Sequence, residues 1–270
     1  MQSNWQKKKE KGRFHLENKF TFAKEIVRDA GEYILQHMKE DLHVERKSSP
    51  TDLVTKLDKE VQALLIEKIR SCYPDDLFCA EEGCLLAAVE KGSVWIIDPI
   101  DGTNNFVAQG EDFAVMLAYF EDGVGKFGII YDVMKGDCYH GGGDFPPCRN
   151  DEPLPVFKKK PLREFLVAGN SGMLETNEWG IADLGNAALG TRVYGSAAIS
   201  FAKVLSGRLL TYITYLQPWD YAAASILGES LGYKVLTIAG EEVDFHTRQA
   251  VMMVPVEMQD EIQSYIYERK

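Results

Sequence analysis

The run Trp95-Ile96-Ile97-Asp98-Pro99-Ile100-Asp101-Gly102-Thr103-Asn104-Asn105-Phe106 sets two carboxylates at the mouth of an apolar stretch. A Gly-Thr pair follows where a helix can begin. Hard divalent cations take oxygen ligands, carboxylates above all. Phosphate oxygens take the free backbone N–H groups of a helix N-terminus. The two features together point to cation-assisted chemistry on a phosphate. A single Asp after a strand is ordinarily a turn residue; two of them with Gly-Thr between strand and helix fit that reading poorly. Asp98 is placed to bridge two cations and Asp101 to bind one of them, with Pro99 ending the strand ladder.

Other carboxylates carry two readings each. Glu81-Glu82 precedes Gly83 and, taken alone, is a solvated turn. Thr55-Lys56-Leu57-Asp58 has the form of a capping box; Asp58 either bonds back to its helix start or faces the cations and orients a water. Asp220, after Pro218-Trp219, is a natural N-cap or a ligand delivered from a distant part of the chain. Gly195-Ser196-Ala197 opens a helix, with Ser196 as its N-cap and the backbone free to line a substrate pocket. The histidines His15, His37, His43, His140 and His246 show no ligand spacing. No P-loop, G-x-G-x-x-G or nucleophile elbow occurs.

These residues need elements to hold them. Phe22, Ile26, Ala30, Ile34 and Met38 predict a helix over residues 20–38, and Val61, Leu64, Leu65 and Ile69 another over 57–70. Short strands at 77–79 and 94–97 flank the first acidic pairs. Glu121-Asp122-Gly123 and Lys135-Gly136-Asp137 read as hairpin turns. Beyond a Gly/Pro-rich stretch from Gly141 to Asp151 the pattern alternates: strands at 165–168, 192–194, 209–215 and 234–238, helices at 197–205 and 221–231. That predicts a mixed α/β layered fold.

With 270 residues the chain can bury one large core or two smaller ones. We divide it into a flexible extension at 1–15, an α+β metal- and phosphate-binding half at 16–145, and an α/β half at 146–270 that completes the site. The net charge of −11 opposes direct nucleic-acid binding, and no apolar run has the length of a membrane span. The cysteines, odd in number and without C-x-x-C spacing, argue for reduced thiols in a cytoplasm.

Taken together, the segments Ser49-Pro50-Thr51-Asp52-Leu53-Val54-Thr55…Asp58, Glu81-Glu82-Gly83, Asp98-Pro99-Ile100-Asp101-Gly102-Thr103-Asn104-Asn105-Phe106 and Trp219-Asp220-Tyr221-Ala222-Ala223 resemble the ordered motifs of the inositol monophosphatase family. These are Mg²⁺-dependent, lithium-sensitive phosphatases. The resemblance runs from about residue 20 to 260 and implies an αβαβα sandwich of the sugar-phosphatase type, usually dimeric. It implies two or three Mg²⁺ per active site. Glu81, Asp98, the Ile100 carbonyl and Thr103 would surround the first, and Asp98, Asp101 and Asp220 the second. Glu82 and Asp58 would touch cation-bound waters, with Asp58 and Thr103 orienting the attacking one. Gly102 and Thr103 N–H groups would bind phosphate oxygens, with Asp101, Gly195, Ser196, Ala197 and Ile213 bordering the substrate. Ile213 stands where inositol-specific members carry a glutamate, which turns the expectation toward a broader set of small phosphate esters. NADP(H) and fructose 1,6-bisphosphate are alternative substrates, and a protein partner in transcription antitermination is the alternative from another class.

Overall fold

Apolar residues three or four apart, Ala23, Val27, Ala30 and Ile34 on one segment and Leu57, Val61, Leu65 and Ile69 on the next, build helices α1 (Asn4–His37) and α2 (Lys56–Cys72). The computed structural model describes residues 4–47, 53–83 and 85–267. The segment expected to be a frayed extension is helical from Asn4 on. Gln6, Lys7, Lys8, Lys9, Glu10 and Lys11 are good helix formers, which suits the helix there. Between α1 and α2 a small ribbon pairs β1 (Glu45–Arg46) with β2 (Leu53–Val54).

The first large sheet contains β3 (Leu77–Ala80), β4 (Leu85–Leu86), β5 (Ser93–Asp101), β6 (Ala114–Glu121), β7 (Val124–Asp132), β8 (Asp137–Gly142), β9 (Phe145–Arg149) and β10 (Glu152–Pro153), in the order β10-β9-β8-β7-β6-β5-β3-β4. Helix α3 (Thr103–Gln109) leaves β5 at the site. The Gly/Pro-rich stretch taken as a boundary lies inside this sheet, because Gly141 and Gly142 take positive φ and turn the chain into the β8–β9 hairpin. The change of sheet falls between Pro153 and Leu166.

The second sheet contains β11 (Leu166–Gly169), β12 (Gly190–Arg192), β13 (Tyr212–Leu216), β14 (Tyr233–Thr237) and β15 (Gln249–Pro255), ordered β12-β11-β13-β15-β14, with β11 parallel to both neighbours. Helices α4 (Ser171–Thr176), α5 (Ile181–Ala187) and α8 (Gln259–Gln263) cover its outer face, too short for a periodic pattern to betray them. Between the sheets lie α6 (Ala197–Leu205) and α7 (Pro218–Glu229). The layers therefore run helix, sheet, helix, sheet, helix, and the first sheet, covered on both faces, reads as near-continuous apolar strands.

Contact between α7 and the first sheet is close. A Cβ added to Gly128 would lie 2.4 Å from the Ala223 carbonyl oxygen. Backbone cannot yield as a side-chain tip can, and overpacking costs of order 1–3 kcal/mol. Gly128→Ala should therefore destabilise the fold by about 2 kcal/mol, read as a lower urea midpoint with unchanged slope.

A second expectation concerns His140, buried beside Phe20 with its Nε2 2.8 Å from the Asn150 carbonyl. Burial lowers its pKa, the cations of Lys24 and Arg28 add to that, and the Asn150 bond and Asp151 oppose it. The unfolded imidazole titrates at about 6.5, so stability is full above that pH and falls below it as the unfolded chain takes the proton first. His140→Gln, which keeps a donor for Asn150, should flatten the loss of melting temperature between about pH 6.5 and 5.

Candidate metal and phosphate site

The strand β5 does not stop at Asp98. It runs to Asp101, but its pairing with β6 shifts: Asp98 faces Met116 and Asp101 faces Ala114. Three steps on one strand match two on the other, a β-bulge, which is where a strand tolerates Pro99. In a regular strand residues three apart point to opposite faces. The extra residue brings Asp98 and Asp101 to the same side, and oxygens of Asp98, Asp101 and Asp220 all lie within 4.8 Å of one another.

Asp98 is 2% and Asp101 7% exposed. Burial first, and then the charges of Glu81, Asp101 and Asp220, push the Asp98 carboxyl well above the usual carboxylate range. Burial and Asp101 do the same to Asp220. Glu81 is raised by burial to about 7 although the Lys47 ammonium pulls it down. Asp98 Oδ1 is buried with no hydrogen-bond partner among the described residues. Converging oxygens that repel one another, one of them an orphaned acceptor, suit a hard divalent cation.

Asp101 is gripped from the second half of the chain. Its Oδ1 accepts from the Ala197 N–H at 3.1 Å, and its Oδ2 from the Ala198 N–H at 2.9 Å and from the Ser196 hydroxyl. A carboxylate at the N-terminus of α6 is favoured by the helix dipole, and these bonds oppose the rise that burial imposes. Ser196 also caps α6 by accepting from Ile199. The Ala197 N–H is thus spent on Asp101 rather than left for a substrate. Asp220 is the third residue of α7, not its N-cap: Gln217 holds that place, Pro218 sits at the first position, and Gln217 N–H donates to Asp220 Oδ2 at 2.8 Å.

Asp58 bonds back to its helix start and also reaches Thr103. Its Oδ2 accepts from Thr55 N–H at 2.8 Å in a capping box, while Oδ1 accepts from Thr103 Oγ1 at 3.1 Å. Thr103 Oγ1 is also 3.1 Å from the Ile100 carbonyl. Gly102, at φ 86, turns the chain from β5 into α3, whose first N–H groups have no acceptor within the helix. Glu81 and Glu82 are both paired with Lys47 Nζ, at 2.7 and 2.5 Å. Gln62 clamps the Glu82 backbone, accepting from its N–H at 2.8 Å and donating to its carbonyl at 2.5 Å.

Ile213 is not a pocket residue. It is 1% exposed and packs with Val167, Ile181, Leu184 and Met252 under α4 and α5. Strand alternation puts Tyr212 and Leu216 on the opposite face of β13, toward the layer of α6 and α7 that carries Ser196 and Asp220. Ser49, Pro50, Thr51 and Asp52 lie outside the described residues. Sequence reasoning missed Lys47 and Gln62. Gln62 stands four residues after Asp58 on the same helix face and was findable by spacing; Lys47, in a polar connection, carries no local signal.

The inositol monophosphatase family model matches residues 15–269. The chain is 40% identical over 237 residues to the inositol-1-monophosphatase of Bacillus subtilis, covering 85% of this chain and 89% of that one. The chain belongs to the inositol monophosphatase family. A fructose-1,6-bisphosphatase/inositol-1-monophosphatase of Thermotoga maritima is 31% identical, with 87% and 90% covered. The crystal structure of inositol monophosphatase II from Staphylococcus aureus superposes with TM-score 0.83 at 30% identity, covering 92% of each chain. This family is one of phosphatase enzymes, and its sandwich is the fold observed here.

Packing like charges in a buried site costs stability unless a cation offsets them. Asp98→Asn should raise the melting temperature of the protein in EDTA relative to the parent. It should also abolish most of the further rise that Mg²⁺ produces in the parent. Thermal melts with and without Mg²⁺ check both; a variant with the parent's full Mg²⁺-dependent shift would exclude Asp98 from the cation site.

Proposed function

We propose that the chain is a Mg²⁺-dependent phosphomonoesterase acting on inositol monophosphate and other small phosphate esters. One observation carries this reading: oxygens of Asp98, Asp101 and Asp220, from distant parts of the chain, lie within 4.8 Å of one another around the orphaned Asp98 Oδ1, with Glu81 close enough to act on Asp98 and Asp58 bonded to Thr103 at the start of α3. Glu81, Asp98, Asp101 and Asp220, with the Ile100 carbonyl and the Thr103 hydroxyl, would hold two or three Mg²⁺. The donor set is all oxygen, as Mg²⁺ requires. When bound, Mg²⁺ lowers the pKa of water and offsets charge on phosphoryl oxygens.

The remaining work falls to the chain's own groups. Thr55 fixes one oxygen of Asp58 and leaves the other on Thr103, so the pair can orient an attacking water. Burial holds Asp58 above the usual carboxylate pKa, which suits it to accept a proton. The Gly102 and Thr103 N–H groups would bind phosphate oxygens at the start of α3. Glu82, tethered by Lys47 and Gln62, would accept a hydrogen bond from water at the edge of the site, and Gly195 and Ser196 would border the leaving group. The same reading carries Li⁺ sensitivity, a homodimer and a cytoplasmic setting, the last supported by the unpaired thiols of Cys72, Cys79, Cys138 and Cys148. No helix among the described residues is long and apolar enough to cross a membrane.

The dual name of the Thermotoga maritima relative favours a second reading of the substrate: fructose 1,6-bisphosphate, with NADP(H) a further candidate. Phosphate release with Mg²⁺ from inositol 1-phosphate, fructose 1,6-bisphosphate, NADP and 3′-phosphoadenosine 5′-phosphate ranks them. Thr103→Ala and Asp58→Asn should lower kcat by about 10²–10⁴, the usual contribution of a positioned proton acceptor. A folded, Mg²⁺-loaded protein that turns over none of the esters would sink the enzyme reading and leave a regulatory partner role.

A further inference from the structure

We infer that Asn105 is a positioning residue that locks the two halves of the chain together at the cation site; the inference rests on the phosphatase reading above. Asn105 lies on α3, four residues after Asp101, and is 8% exposed. Its Nδ2 spends both protons on backbone carbonyls: Asp112 at 2.9 Å, just before β6, and Tyr194 at 2.7 Å, at the entry to α6. Its Oδ1 accepts from Gln109 Nε2 at 3.1 Å. No hydrogen-bonding capacity of the amide is idle on the donor side.

The Tyr194 bond matters because of the residues just after it in the chain. Gly195, Ser196, Ala197 and Ala198 come next, and the last three donate to the Asp101 carboxylate. The same two segments are therefore tied twice, once through Asp101 itself and once through Asn105. The fit is close on both sides. A Cβ on Gly195, at φ 72, would lie 2.7 Å from Asn105 Oδ1, and a Cβ on Gly102 would lie 2.9 Å from Ser196 Cβ. Asn105 thereby sets where the start of α6 stands, and α6 sets the direction of the Asp101 oxygens. Since α6 packs on α7, the same tie bears on Asp220. These three bonds of the Asn105 side chain all go to the chain itself, so it would act through Asp101.

The identity of the side chain supplies the test. Aspartate has the same shape but no donors when ionised, so it would set carboxylate oxygens against two carbonyl oxygens. If Asn105 merely fills space, Asn105→Asp resembles the parent and Asn105→Ala is worse. If its two donors hold the site, Asn105→Asp is at least as impaired as Asn105→Ala.

The experiment measures Mg²⁺ binding by calorimetry and kcat and KM by phosphate release. It compares the parent, both variants and Gln109→Ala, a control for loosening α3, at a temperature where circular dichroism shows all four folded. We expect the Mg²⁺ dissociation constant to rise about tenfold or more in both Asn105 variants, kcat to fall by a similar factor with KM changed less, and Gln109→Ala to stay near the parent. Folded Asn105 variants with Mg²⁺ affinity and kcat within about twofold of the parent would overturn the inference while leaving the phosphatase reading intact. The inference also falls if Asn105→Asp matches the parent while Asn105→Ala does not. A parent that binds no Mg²⁺ and hydrolyses no ester overturns both.

Discussion

Like-charged carboxylates cannot be packed into a buried site without a source of compensation, and that constraint organises this fold. Three of them meet within 4.8 Å; burial raises the pKa of each, and repulsion by neighbouring carboxylates adds to the rise at Asp98 and Asp220. Nothing local in the chain makes such an arrangement favourable. It is held because the first sheet and the α6–α7 layer are rigid enough to impose it, and because a cation would turn the repulsion into binding energy. The apolar layers beneath the site supply that rigidity: β5 to β7 are buried on both faces, and glycines at the α7 contact let backbones approach to a distance no other residue would allow.

The bulge in β5 is the local device on which the arrangement turns. Pro99 and Ile100 add one residue to the strand without ending it, so two carboxylates that a flat strand would separate share one side. The rest is delivered across the chain. The N-terminus of α6 grips Asp101, the first turn of α7 carries Asp220, and α2 brings Asp58 against Thr103. Each of these elements begins with a cap; Asp220, in the capping box of α7, also joins the carboxylate cluster, and Asp58, in that of α2, also accepts from Thr103. A carboxylate has two oxygens; one can satisfy a helix start while the other faces the chemistry. A capping role therefore does not exclude a place at the candidate site.

The motifs themselves were legible in the residues: Asp98, Asp101, Gly102 and Thr103 by type and spacing, Asp58 through its capping box, and the long helices and hairpins through periodicity and turn chemistry. The legible parts share a property, in that their signal lies within a few residues of the chain. Element edges were not legible where a cap residue outside the pattern sets them, as Gln217 and Pro218 do for α7. The Gly/Pro-rich stretch from Gly141 to Asp151 read as a boundary because glycine marks a hairpin and a boundary alike.

Ile213 shows the other limit. The family resemblance, which sets Ile213 where inositol-specific members carry a glutamate, implied a place bordering the substrate, yet a strand has a period of two, and a position one residue out of phase faces the opposite core. Lys47 pairs with Glu81 and Glu82, and Asn105 with Tyr194, across separations that no local pattern records. The sequence by itself determined which groups are available and which elements they begin or end, because propensity, capping and hydrogen-bonding chemistry are properties of short segments. Only the tertiary structure decided which of those groups meet, which face of β13 looks toward the site, and which amine, amide and backbone N–H groups hold the carboxylates. Those relations depend on the packing of two sheets around a shared helical layer.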